Sequence, residues 1–214
     1  MNIDVPSPID LRLMPDAREW EQTAMSKRPW RTEFFSRFST EIRNMSPSGH
    51  RVLELGSGPG FLAEHLLTSL DHIKYVLLDF SPAMHQLARD RLGPLADRAE
   101  FIERSFKPTD WTDGLGQFDC VVTNQAVHEL RHKSYASQLH QQVRTILKPG
   151  GSYLVCDHFC GEDGMKNDQL YMSVDEQKEA LTSAGFLSVE QIMLKGGLVL
   201  YRAKASAEIC HECK

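Results

Sequence analysis

The chain has 214 residues, 41% apolar and 25% charged, enough for one domain with a sizeable core. Its net charge of −5 argues against nucleic acid as a partner, and no apolar run approaches the roughly 20 residues of a membrane span. The start, Met1-Asn2-Ile3-Asp4-Val5-Pro6, lacks the pattern of a secretion signal, and five scattered cysteines do not make a disulfide framework, so the expected setting is a reducing cytoplasm.

Residues 1–15 carry Pro6, Pro8 and Pro15 and read as an extended arm. Asp16, with Glu19 three positions on, reads as a capping box opening a helix to about Met25. Pro29 suits the first turn of a second helix, roughly Trp30 to Asn44. Its Trp30, Phe34, Phe35, Phe38 and Ile42 form an apolar stripe, mostly core, whose first turn is placed to face a ligand. Ser46-Pro47-Ser48-Gly49 is a loop.

Val52-Leu53-Glu54-Leu55 reads as a buried strand, and Gly56-Ser57-Gly58-Pro59-Gly60 as a turn that hands over to a helix at Phe61. Strand, glycine turn and helix in that order make a nucleotide-binding corner, because glycine lets a ligand approach the backbone. Tyr75 to Asp79 is the next strand, and Ser81-Pro82 opens a helix closed by Gly93-Pro94. Ala99 to Glu103 and Phe118 to Asn124 are strands three and four. A helix over Ser134 to Leu147 stops at Pro149-Gly150-Gly151, and Ser152 to His158 is strand five. Ser173 and Glu176 make a capping box for a helix to Ala184. Leu187 to Leu194 and Leu198 to Ala203 form a hairpin across Lys195-Gly196-Gly197. The expected fold is α/β: a mostly parallel sheet with a C-terminal antiparallel hairpin and helices on both faces.

These residues resemble the class I S-adenosylmethionine-dependent methyltransferases. Val52 to Gly60 is similar to that family's first motif, Asp79 to its ribose-binding acid, Phe118 to Val122 to its fourth-strand motif, and Leu147 to Gly151 to its Pro-Gly-Gly turn. The resemblance implies a Rossmann-like seven-stranded sheet over residues 46–204, an N-terminal helical lid over 1–45 and a tail over 205–214. A nicotinamide or flavin dinucleotide site is the rival reading, but its fingerprint needs a glycine where Phe61 stands.

The resemblance implies S-adenosylmethionine as cofactor. Glu54, Gly56, Ser57 and Gly58 would meet its amino-acid end, and Asp79 both ribose hydroxyls. Phe80, Met84, Ser105 and Phe106 would lie around the adenine, with Asn124 and Gln125 by the sulfonium. Ser105 stands where many relatives have an acid. Histidine suits proton transfer near neutral pH, so His128 and His158, just past strands four and five, are the candidate bases. Trp30, Arg31, Phe34, His128, Asp157 and His158 are the candidate acceptor contacts. On a strand, Asp157 and His158 face opposite sides. One carboxylate among Asn124, Asp157 and His158 is a poor set for a hard metal ion, and Cys210-x-x-Cys213 without a second ligand pair is a weak zinc signal, so no metal is expected. The expected activity is methylation of an oxygen or nitrogen on a small molecule, aromatic or heterocyclic by preference, by a monomer or homodimer. A protein methyltransferase or a non-catalytic cofactor-binding protein are the alternatives.

Overall fold

The computed structural model describes residues 3–45 and 49–207. The Ser46 to Ser48 stretch of the expected loop and the Cys210-x-x-Cys213 motif lie outside the described residues. Seven strands form one sheet in the order β3-β2-β1-β4-β5-β7-β6. They are β1 (His50–Leu55), β2 (Ile73–Asp79), β3 (Ala99–Glu103), β4 (Phe118–Asn124), β5 (Leu147–His158), β6 (Ser188–Lys195) and β7 (Leu198–Lys204). β1 to β5 pair in parallel; β7 runs antiparallel to both its neighbours. The strand order reverses between β1 and β4, so a crevice opens there beyond the carboxyl ends of the strands.

Alternation along each strand divides the core in two. Leu53, Leu55, Val76, Leu78, Val121 and Val155 face α5 (Ala136–Thr145) and α6 (Val174–Ser183). Val52, Tyr75, Leu77, Val122 and Leu154 face the other way, towards α2 (Arg31–Arg43), α3 (Phe61–Ser69) and α4 (Pro82–Leu92). Phe34, Phe38 and Ile42 of α2 are fully buried in this second layer. The aromatic stripe is therefore mostly core.

Local signals hold where they sit at element ends. Ser81 caps α4, its hydroxyl accepting from the Met84 N–H at 3.0 Å. Ser173 and Glu176 close their capping box at the start of α6. Gly196 and Gly197 adopt φ of 57° and 78°, the left-handed pair that a two-residue hairpin turn requires.

Two expectations fail locally. The first helix, α1 (Met14–Lys27), starts two residues before Asp16, because Pro15 is tolerated in a first helical turn. Asp16 instead accepts the Asp10 N–H at 3.0 Å and ties the arm to the helix. The helix after β4 stops at Thr145, and β5 begins at Leu147. Leu147 pairs with Phe118 and Ser152 with Cys120, so Lys148 to Gly151 bulge out of the ladder around Pro149, which has no N–H to donate.

Phe38 has no exposed surface. Phe38→Ala is expected to cost about 3–5 kcal/mol of folding stability, measured by urea unfolding, since it removes a large ring from a packed layer.

Candidate functional site

The site is assembled from the turns that leave β1, β2, β4 and β5. Gly56 leaves β1 at φ 65°, and a Cβ there would lie 2.4 Å from the Ala126 Cβ. Gly58, at φ 53°, would place a Cβ in open space, which leaves its backbone accessible. The Gly58 N–H donates to Asp79 Oδ2 at 2.8 Å and the Ser81 N–H to Asp79 Oδ1 at 2.9 Å. Burial still raises Asp79 to about 6 against these two donors. Glu54, wholly buried at the end of β1, accepts the Tyr75 hydroxyl at 2.8 Å. Burial outweighs that bond and pushes Glu54 up to about 8.

Opposite them, the segment after β4 carries Gln125 and Arg131 at φ 59° and 72°, a left-handed conformation that non-glycine residues rarely adopt. His128 lies between them. Its Nδ1 is 2.7 Å from Asp157 Oδ1, and its backbone N–H donates to Asp157 Oδ2 at 2.9 Å. Asp157 Oδ1 also accepts the His158 N–H at 2.7 Å. The His128 and His158 rings meet edge to face at 5.3 Å, with Tyr171 5.3 Å from His128. Asp157 and His158 start from opposite faces of β5, as alternation requires. His128, standing beyond the strand ends, touches both.

The two histidines are driven apart in charge. Burial works against a charged His128, but Asp157 and Glu129 outweigh it and carry His128 up to about 10. For His158 burial dominates; the positive His128, Arg28 and Arg31 add to it, Asp157 only partly opposes, and His158 falls to about 3. His158 is thus neutral, and its Nε2 accepts from the Gln125 amide at 3.0 Å. Gln125 Oε1 accepts from Arg31 Nε at 2.5 Å. A chain of polar contacts therefore runs from α2 to β5.

One cavity of about 150 Å³ takes in most of the expected residues: Glu54, Gly56, Ser57, Gly58, Asp79, Phe80, Met84, Phe106, Asn124, Gln125, Arg31, His128 and His158. Ser105 does not line it; its hydroxyl accepts from the Lys107 N–H at 3.2 Å. Phe34 is absent because it faces the sheet. Trp30 is absent because its ring lies over Gly196, where a Cβ would stand 2.4 Å from the indole. Asp157 stands behind His128 rather than on the wall. Phe35, expected on the lid, lines the cavity, and so do Trp20, Arg28 and Glu129, which the sequence reading does not assign to the site. The sequence signals for two of these are the spacing of Arg28 to Arg31 and the place of Glu129 next to His128. The N-terminal arm crosses the same region: Arg131 donates to the carbonyls of Val5 and Pro6 at 2.9 and 2.7 Å, and Ser81 Oγ to that of Leu11 at 2.5 Å.

A glycine corner after β1, an acid after β2 and a cavity at the switch in strand order define a nucleotide-cofactor-binding domain of the doubly wound class. Residues 52–151 match the family model described as a methyltransferase domain. Over that stretch the chain is similar to methyltransferases that use S-adenosylmethionine, and its sheet is the Rossmann-like fold of that class. It is 29% identical over 125 residues to the reducing polyketide synthase Preu2 of Preussia isomera, covering 56% of this chain and 5% of that protein. The CurJ carbon methyltransferase superposes with a TM-score of 0.64 at 16% identity, over 77% of this chain and 51% of that one. Human N-acetylserotonin methyltransferase, solved with S-adenosylmethionine, gives 0.67 at 18% identity, over 92% and 57%. The chain thus spans a small part of Preu2 and just over half of these two structures.

The residues present fit the cofactor of this family. Ser57 Oγ, Asn124 Oδ1 and Arg31 Nη1 are buried polar atoms without a protein partner, and all three residues line the cavity. Glu54 and Asp79 are buried carboxylates held above their ordinary range, which a cationic or hydroxyl ligand would relieve. An ammonium near Glu54 favours its charged form. Binding of S-adenosylmethionine at pH 7 is therefore expected to release a proton, seen as a calorimetric enthalpy that differs between phosphate and Tris. Glu54→Gln removes that difference; a buffer-independent enthalpy in the parent protein would place the ammonium elsewhere.

Proposed function

We propose that the chain transfers a methyl group from S-adenosylmethionine to a small molecule, with His128 taking the acceptor's proton. The observation that carries this reading is that His128, backed by Asp157, lines the cavity that Gly56, Gly58 and Asp79 also line. When bound, the cofactor supplies a methyl group already activated on a sulfonium. What remains for the protein is alignment and, where the acceptor carries a proton, its removal.

Asp157 fixes the His128 ring through Nδ1 and leaves Nε2 to act, with Glu129 Oε1 3.4 Å away. An imidazolium must first lose its proton to serve as a base, and a second cation in the cavity favours that loss. His158 is the positioning partner: its free nitrogen is engaged by Gln125, which in turn orients Arg31. Trp20, Phe35, Phe61, Phe80 and Phe106 make the cavity wall aromatic, which suits an aromatic or heterocyclic acceptor. Oxygen and nitrogen are the first choices for the methylated atom, and an acidic carbon is a third, supported by the likeness to a carbon methyltransferase.

The cavity is smaller than the roughly 300 Å³ at the low end of small-molecule sites, so cofactor and acceptor together need it to widen. Residues 1–45, with α1 on α4 and α2 on α3, act as the lid over a core of 46–204. Among the described residues no helix is long and apolar enough to cross a membrane. The net charge of −5 favours a metabolite over nucleic acid, and the reading is of a monomer or homodimer in the cytoplasm.

Labelled methyl transfer from S-adenosylmethionine into a metabolite extract tests the activity. His128→Gln is expected to lower kcat by about 100-fold or more with a smaller effect on cofactor affinity. Since Asp157 raises His128, the rate should climb with pH between about 6.5 and 10. Asp157→Asn should move that rise to lower pH. A profile unchanged in His128→Gln would leave alignment alone as the source of the rate.

A further inference from the structure

Two guanidiniums line the cavity, and neither forms an ion pair among the described residues. Arg31 is 4% exposed; its Nε is bonded to Gln125, and its Nη1 is buried with no partner. Arg28, half-buried at the turn before α2, makes no side-chain hydrogen bond among the described residues. Burial followed by the charge of Arg28 pulls Arg31 down to about 10, and the Trp20 ring 5.4 Å from its guanidinium carbon brings no formal counter-charge.

The carboxylates nearby are engaged elsewhere. Glu54 accepts from Tyr75, Asp79 from the Gly58 and Ser81 N–H groups, and Glu129 lies against His128 and Arg131. S-adenosylmethionine carries one carboxylate, but also an ammonium and a sulfonium. It can satisfy one guanidinium and still adds net positive charge. Arg28 is only half-buried, so it keeps part of its hydration, but it stands in the cavity without a counter-charge and can take an anion from the other ligand.

The geometry points to an acidic acceptor, a small molecule whose carboxylate is bound by Arg28 while its nucleophilic atom lies at His128. Arg28 is the better placed of the two. Arg31 is tied to Gln125, whereas Arg28 has no side-chain hydrogen bond among the described residues and lines the same cavity as His128 and His158. A carboxylate at Arg28 would thus hold the rest of the acceptor beside His128, and a neutral analogue would leave the guanidinium bare. This inference rests on the methyltransferase reading above and deepens it.

The test is a paired one. Calorimetry first measures S-adenosylmethionine binding. Protein saturated with S-adenosylhomocysteine is then titrated with 4-hydroxybenzoate and with 4-hydroxybenzamide, which differ in charge but hardly in shape. The acid is expected to bind about 10-fold or more tightly than the amide, the scale of a charge-assisted hydrogen bond. Arg28→Gln should abolish that preference, while Arg28→Lys, which keeps the charge, should retain part of it and separates loss of charge from loss of fold. Failure of S-adenosylmethionine to bind would remove the methyltransferase reading and this inference together. Cofactor binding with no preference for the acid, or with a preference undiminished in Arg28→Gln, would overturn this inference alone.

Discussion

The cavity exists because the turn after β1 can touch the turn after β4. Gly56 and Ala126 approach so closely that a Cβ on the glycine would stand 2.4 Å from the alanine's. Gly56 also holds φ 65°, so only a residue with no side chain satisfies both demands. That contact spans the one place where the sheet reverses its order. It sets the backbone groups of Gly56 and Gly58 against the segment that carries Gln125 and His128. Left-handed backbone at Gln125 and Arg131 is strained, by roughly 1–3 kcal/mol each. Both bracket His128, and Asp157 helps hold the segment by accepting from the His128 backbone and ring.

The same carboxylate divides the labour of two neighbouring histidines. It bonds the ring of His128 but only the backbone of His158. One imidazole therefore gains a counter-charge that outweighs its burial, while for the other the same carboxylate only partly offsets it. Titratable groups pushed apart in this way are how a single site separates a proton-handling residue from an orienting one. The sign for stability follows. His158 folds as a neutral ring, so its contribution is whole above about 6.5 and is lost as pH falls towards 3. That of His128 is whole below about 6.5 and is lost as pH rises towards 10. The two slopes oppose each other and leave the site most secure around neutrality.

Much of this was legible in the sequence, for identifiable reasons. β1, β2 and β4 are short, mostly apolar runs bounded by turn residues, β3 alternates, and Asp79 is the last residue of β2. Such signals are local and survive folding. The lid was harder. Phe34 and Phe35 are adjacent in sequence, yet one faces the sheet and the other the cavity, and only the packing angle of α2 decides which. Trp30 was assigned to the ligand but packs over Gly196, a partner 166 positions away that no local pattern announces. Ser105 was placed by analogy with an acid in relatives, but its hydroxyl turns back to the Lys107 backbone. Arg28 and Trp20 became site residues only when the arm and α1 were laid across the strand ends.

The arm itself acts as a tether. It is fixed at Pro6 to Arg131, beyond β4, and at Leu11 to Ser81, beyond β2. These anchors stand on opposite banks of the crevice. Five residues of extended chain reach at most about 17 Å, so the mouth cannot gape wider than that until one anchor lets go. One of those anchors, Arg131, belongs to the segment that positions His128. Aperture and the placement of His128 are thereby tied to the same short length of chain.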